Sequence, residues 1–456
     1  MNSSSTQADW QRRSRAAVWH PCTQMARAEV VPPLPIARGA GPWLYDYEGR
    51  RYFDANSSWW VNLFGHADAG INAAIKQQLD TLPHVMLAGC THAPAVRLAE
   101  RLSARTGGVD GHALGHVFFG SDGASAVEIA LKQSFHSWRN LGRAEKREFV
   151  CLKNGYHGET IGALAVTDVK VFRDAYDPLL MQAHIVESPD ARLGNEVQAL
   201  AAMRALLSSR ASQIAAVIIE PLVQGAAGMV MYGADYLRGL RALCNEFEVH
   251  LIVDEIAMGC GRTGTFFAWE HAAPKTKSEW PDFITLSKGI TGGTMPLSLV
   301  LTTEAVYLAF WSEDVTRGFL HSHSYTGNAL ACAAANAVLD RFDAGQLQAN
   351  AGQAELLKAA FAPLAAHPRV AHLRQLGMVL AFDVMEPGLR FAERFHLAAR
   401  AHELLIRPIG NTVYLMPPYV IDAESAAFLS QAVTRTLDEV LAQAPDSSSK
   451  DQPHVA

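Results

Sequence analysis

The chain has 456 residues, with 39 basic and 45 acidic side chains, a formal net charge of −6 and 49% apolar residues. That is too long for one small core and suits a main domain with smaller terminal parts. The balance excludes the basic footprint of a nucleic-acid binder. No apolar run is long enough to span a bilayer, and the longest, such as Ile214 to Ile219, has strand length. Six cysteines, at 22, 90, 151, 244, 260 and 332, include no CxxC pair, so neither a zinc site nor a disulfide framework is expected.

In chain order, residues 1–15 are polar and Ser-rich without the apolar stretch of a secretory signal, and are expected to be a disordered tail. Trp43–Asp54 reads as a hairpin turning at Glu48-Gly49. Short apolar, β-branched runs then recur at His116–Phe119, Glu148–Leu152, His184–Val186, Ala216–Ile219, His250–Val253, Phe283–Leu286 and Ser298–Leu301. Helical patterns lie between most of them, as at Ser125–Trp138, Val197–Ser208 and Ala234–Glu246. Strands alternating with helices imply an α/β domain on a mostly parallel sheet, and continuously apolar strands imply that both sheet faces are buried. Asn328–Phe342 opens a helix-rich part with two more strands, Val379–Val384 and Val413–Met416. The expected division is a large domain over 81–330 and a smaller α+β domain built from 16–80 and 331–444, with a second tail over 445–456.

Ligands of alternating α/β chains bind at the carboxyl ends of the strands. Gly120-Ser121-Asp122-Gly123-Ala124-Ser125 follows the first run and opens a helix, a turn suited to holding a phosphate on backbone N–H groups. Asn154-Gly155-Tyr156-His157-Gly158 follows the second and offers an aromatic for stacking on a flat ring. Glu220-Pro221 and Asp254-Glu255 end two buried strands, where a carboxylate is costly unless partnered. Ser287-Lys288-Gly289 ends another, and burial there lowers a lysine's pKa and exposes a nucleophilic amine. Each feature alone has an ordinary structural reading. Together, a phosphate cradle, a stacking ring, an acid for a pyridine nitrogen and a lysine are the parts that pyridoxal 5'-phosphate requires. Gly259-Cys260-Gly261-Arg262-Thr263-Gly264 matches G-x-G-x-x-G, but Asp254–Met258 separates it from its strand and no helix signal follows. It reads as a glycine-rich loop, not a dinucleotide fingerprint.

Ile219-Glu220-Pro221, Val253-Asp254-Glu255, Gly261-Arg262-Thr263-Gly264 and Leu286-Ser287-Lys288-Gly289 resemble stretches of the class III aminotransferases, a branch of the fold-type I pyridoxal-phosphate transferases. Trp19-His20-Pro21, Ser57-Ser58-Trp59-Trp60, His84-Val85-Met86, Thr91-His92-Ala93-Pro94 and Tyr414-Leu415-Met416-Pro417-Pro418-Tyr419 are most similar to its biotin-synthesis branch. The resemblance implies a cytoplasmic homodimer with shared active sites. It implies amino transfer from S-adenosylmethionine to 8-amino-7-oxononanoate, with an ω-amino acid aminotransferase using pyruvate or 2-oxoglutarate as the alternative. By the same resemblance Lys288 is the cofactor-bearing lysine, Asp254 the partner of the ring nitrogen and Tyr156 the stacking residue. Gly123, Ala124, Glu220 and Ile256 complete the cofactor site. Ser324, in His323-Ser324-Tyr325, reaches the phosphate of the neighbouring subunit. Trp59, Trp60, Tyr156 and Tyr414 wall the substrate pocket, and Arg407 takes the substrate carboxylate. Two departures stand out: Cys22 where many members have Tyr, and Ala124 where some have Ser.

Overall fold

The computed structural model describes residues 6–443. The chain divides into two compact units, Met1–Asp68 with Ala349–Ala456, and Ala69–Gln348. The divisions fall outside the expected boundaries at 80 and 331, because helix Ala69–Thr81 packs against helix Ala329–Asp343 within the larger unit.

The larger unit is organised by a seven-stranded sheet. Its strands are β1 (His116–Gly120), β2 (Glu148–Leu152), β3 (His184–Val186), β4 (Ile214–Ile219), β5 (His250–Asp254), β6 (Phe283–Leu286) and β7 (Ser298–Thr302), in the spatial order β1-β7-β6-β5-β4-β2-β3. β3, β2, β4, β5 and β6 pair in parallel, while β7 runs antiparallel to both β6 and β1. Six strands therefore point one way and end at one edge. Every residue of β4, β5, β6 and β7 is buried, which is why these strands are continuously apolar rather than alternating. Helix α1 (Gly123–Asn140) follows β1, and its face Ala126, Val127, Ile129, Ala130 and Leu131 enters the core with Phe149, Ile218, Ile252 and Phe283. The glycine-rich run Gly259–Gly264 forms turns and bends rather than a helix start.

In the smaller unit both chain ends build the sheets. Ile36–Ala40, Trp43–Asp46 and Arg51–Asp54 form an antiparallel meander whose last strand pairs in parallel with Leu404–Leu405. The hairpin turns with Gly49 at φ 83°, as its sequence required. Val370–Leu376, Val379–Val384 and Thr412–Leu415 form an antiparallel sheet. The expected tail over 1–15 is corrected by a helix, Gln7–Ala17. Thr6 and Asp9 form a reciprocal capping box, and Trp10 packs on Tyr47, so this segment gains a start signal and an anchor. Residues 1–5 and the expected tail over 445–456 lie outside the described residues. Among the described residues no helix is long and apolar enough to cross a membrane.

One glycine fixes how closely two site loops approach. Gly158 has φ +123°, and a Cβ there would lie 2.7 Å from the Cβ of Ala124. Gly158→Ala is expected to cost ~1–3 kcal/mol through backbone strain, with overlap against Ala124 added. Urea unfolding checks this, and a change below about 0.5 kcal/mol would contradict the tight packing of these loops.

Candidate active site

The carboxyl ends of β1, β2, β4, β5 and β6 share one edge of the sheet and carry the candidate residues of the larger unit. After β1, Asp122 caps α1 by accepting the N–H of Ser125 at 2.9 Å and its hydroxyl at 3.0 Å. The N–H groups of Gly123 and Ala124, in the first turn, have no helical carbonyl behind them, and the helix end adds partial positive charge. A Cβ on Gly123 would meet Ile256 Cγ2 at 3.1 Å, so the turn and Ile256 approach as closely as glycine permits. Ala124 can offer only its backbone N–H to an anion.

Asp254 ends β5 buried, with a relative exposure of 4%. Its Oδ1 accepts from Ile256 N at 3.1 Å and Thr285 Oγ1 at 3.1 Å. Its Oδ2 lies 2.8 Å from His157 Nδ1. A carboxylate only accepts, so Nδ1 carries the proton of that bond. The imidazole Nε2 is buried without a hydrogen-bond partner among the described residues. Glu220, at the end of β4, accepts the N–H of Tyr156 at 3.0 Å and of Gly225 at 2.9 Å. Burial pushes its carboxyl up to about 7, with His157 and the two N–H groups opposing. Glu220 thus holds the backbone that presents Tyr156, whose hydroxyl donates to Glu159 at 2.9 Å.

Lys288 follows β6, part-buried, with φ 46° in the left-handed region that a side chain adopts only when its surroundings hold it there. Burial lowers its ammonium to about 8, while Asp254 and Glu220 pull the other way. The geometry thus gathers Lys288, Asp254, Glu220, Tyr156, Ile256, Gly123 and Ala124 at adjacent strand ends. Ser324 is exposed, and no hydrogen bond joins it to this group.

Of the expected substrate residues, Trp59, Trp60, Tyr414 and Arg407 lie in the smaller unit, and Tyr156 in the larger. Ser57, Ser58, Trp59 and Trp60 have φ of 50°, 47°, 71° and 73°, a single left-handed turn with no glycine. Such a conformation costs ~1–2 kcal/mol per residue. Its bonds are correspondingly dense. The N–H and hydroxyl of Ser58 donate to buried Asp54 at 2.8 and 2.6 Å, and Ser57 Oγ donates to the carbonyl of Met416 at 2.6 Å. Trp60 Nε1 donates to the Tyr414 hydroxyl at 3.0 Å. Trp59 is half exposed, with the Arg407 guanidinium 5.5 Å from its ring centre. No acidic side chain pairs with Arg407 among the described residues, which leaves its charge available to a ligand carboxylate.

A family model for class III aminotransferases matches residues 24–437. The chain belongs to the class III aminotransferases. These enzymes move amino groups on pyridoxal phosphate. It is 43% identical over 436 residues to an adenosylmethionine-8-amino-7-oxononanoate aminotransferase of Helicobacter pylori, covering 93% of this chain and 96% of that relative. The crystal structure of the enzyme of that name from Methanocaldococcus jannaschii superposes with a TM-score of 0.89 at 32% identity, covering 95% of this chain and 99% of that one. An amine transaminase from an uncultivated Pseudomonas species, in its pyridoxal-phosphate-bound form, superposes with a TM-score of 0.85 at 30% identity, covering 93% and 99%.

Three functional placements were not read from the sequence: the bond of His157 to Asp254, the hold of Glu220 on Tyr156, and the left-handed turn. The first had a signal, since a histidine beside an aromatic at one strand end can reach an acid at another. The other two arise from backbone contacts that no local pattern encodes.

The lysine makes a testable prediction. Its folded pKa is lowered, so the neutral amine appears through about pH 8 rather than near the ordinary value of 10.5. In apoprotein, the rate at which trinitrobenzenesulfonate labels Lys288 should rise with a midpoint near pH 8. A midpoint near the ordinary lysine value would contradict a desolvated amine.

Proposed function

We propose that this aminotransferase carries the amino group of S-adenosylmethionine to the keto group of 8-amino-7-oxononanoate, giving 7,8-diaminononanoate for biotin synthesis. One observation carries this reading: relatives named for the reaction match the chain over nearly its whole length. The geometry supports it, because a long aliphatic keto acid calls for aromatic walls ended by a cation, and Trp59 stands beside Arg407.

The residues present fit pyridoxal phosphate: a helix N-terminus stripped of side chains at Gly123, a buried acid at Asp254, and a desolvated amine at Lys288. The bound cofactor supplies an aldehyde that takes up the amino group and a ring that draws electrons from the substrate Cα. Gly123 and Ala124 offer their N–H groups to its phosphate. Asp254, held by His157, Thr285 and Ile256, would pair with the ring nitrogen and keep a proton there. Tyr156, its backbone fixed by Glu220, would pack on the ring. With the cofactor bound, Lys288 Nζ would act as base toward the substrate Cα and then as acid, and burial, which lowers its pKa to about 8, would favour the neutral amine that this needs. Two such half-reactions balance: the donor leaves as a keto acid, and the acceptor leaves with the amine. Arg407 pairs with the acceptor's carboxylate. The enzyme works in the cytoplasm as a homodimer, with Ser324 reaching the cofactor phosphate of a second copy.

Mixing the pyridoxal form with adenosylmethionine should convert its absorbance to that of the pyridoxamine form within seconds to minutes. Conversion by β-alanine but none by adenosylmethionine would move the assignment to an ω-amino acid aminotransferase. Arg407→Ala should raise KM for 8-amino-7-oxononanoate by about tenfold or more, the worth of a charge-assisted pair. An unchanged KM would remove Arg407 from the site.

A further inference from the structure

Asn56 stands immediately before the left-handed turn and is buried, with 8% relative exposure. Its Nδ2 donates to the backbone carbonyl of Tyr414 at 3.0 Å, and its Oδ1 accepts the backbone N–H of Arg407 at 2.7 Å. Its own carbonyl accepts Trp60 N at 2.8 Å, inside the turn. A carbonyl cannot donate and an N–H cannot accept, so the two backbone partners fix which way the amide faces. One residue thus touches each segment that bears a candidate substrate residue: its side chain bonds the strand of Tyr414 and the loop of Arg407, and its backbone carbonyl bonds the Trp59-Trp60 turn. None of these bonds reaches the cofactor residues.

We infer that Asn56 is a positioning residue for acceptor recognition, locking the Arg407 loop and the Tyr414 strand to the tryptophan turn so that the carboxylate site and the aromatic walls keep one spacing. The inference rests on the reading of Trp59, Tyr414 and Arg407 as substrate contacts. Asn56 supplies one donor and one acceptor in fixed order, and among close isosteres only a protonated carboxyl offers the same pair. Asn56→Asp in its ionised form has two acceptors, and one of them faces the Tyr414 carbonyl. In its neutral form the acid's O–H restores the donor. Burial and nearby Asp54 favour the neutral form, and Arg407 opposes it. His66 and Tyr414 also border this cluster, so every measurement is referred to wild type at the same pH.

The experiment measures steady-state kinetics of cofactor-loaded wild type, Asn56→Asp and Arg407→Ala with 8-amino-7-oxononanoate as varied acceptor, at about pH 8.5 and about pH 6.5. Near-UV circular dichroism and cofactor absorbance are recorded on the same samples. For Asn56→Asp the expected result is an acceptor KM about tenfold above wild type at the higher pH, kcat within about twofold, unchanged cofactor absorbance, and a KM ratio that falls toward one at the lower pH. A KM ratio near one at both values, or an elevated ratio without pH dependence, overturns the inference. Should Asn56→Asp not fold, Asn56→Ala replaces it: a raised acceptor KM at unchanged kcat supports the inference, and an unchanged KM overturns it. Arg407→Ala separates the two levels. If it leaves the acceptor KM unchanged, the reading of the substrate contacts fails and takes this inference with it. If it raises KM while the Asn56 variant does not, this inference alone fails.

Discussion

A buried carboxylate at the end of a parallel strand is the constraint on which this candidate active site turns. Asp254 sits at the edge of an apolar sheet, where an unpaired charge costs several kcal/mol. Its donors come from three directions: the next loop through Ile256, the neighbouring strand through Thr285, and the loop after β2 through His157. Those bonds order the loops as much as they satisfy the charge. The loop that brings His157 also brings Tyr156, and the strand that brings Thr285 leads into Lys288. Asp254, Tyr156 and Lys288 are therefore positioned by one set of contacts.

The smaller unit meets a different difficulty with similar means. Four consecutive residues without glycine stand in a left-handed turn, a conformation that local preference disfavours at every step. Asp54, Asn56, Ser57 and the C-terminal strand supply the bonds that offset it. Strain held in place by buried hydrogen bonds belongs where a side chain must face one way, and here it sets Trp59 beside an arginine that no acid among the described residues neutralises.

The sequence disclosed the candidate cofactor residues far better than the contacts that hold the candidate substrate residues. Lys288 and Asp254 were legible because a charged residue closing an apolar β-branched run is a contradiction that asks for a ligand. The cradle at Gly123 was legible because small residues between a strand and a helix have few other uses. The helix over Gln7–Ala17 had a legible capping signal in Thr6 and Asp9 that its polar composition obscured. The reversal of β7 was not readable, since a buried strand looks alike in either direction. Nor was the role of Asn56, whose partners lie 351 and 358 residues away in sequence. Pairings of that span come from tertiary packing alone, and no periodicity or motif announces them.

The central claim is that the amine of Lys288, and no other, carries the cofactor. Reducing the holoenzyme with borohydride, digesting it and locating the pyridoxyl-modified peptide by mass spectrometry tests this directly. The account predicts a single modified peptide containing Leu286-Ser287-Lys288-Gly289. Modification at a different lysine, or an unmodified digest, would contradict it.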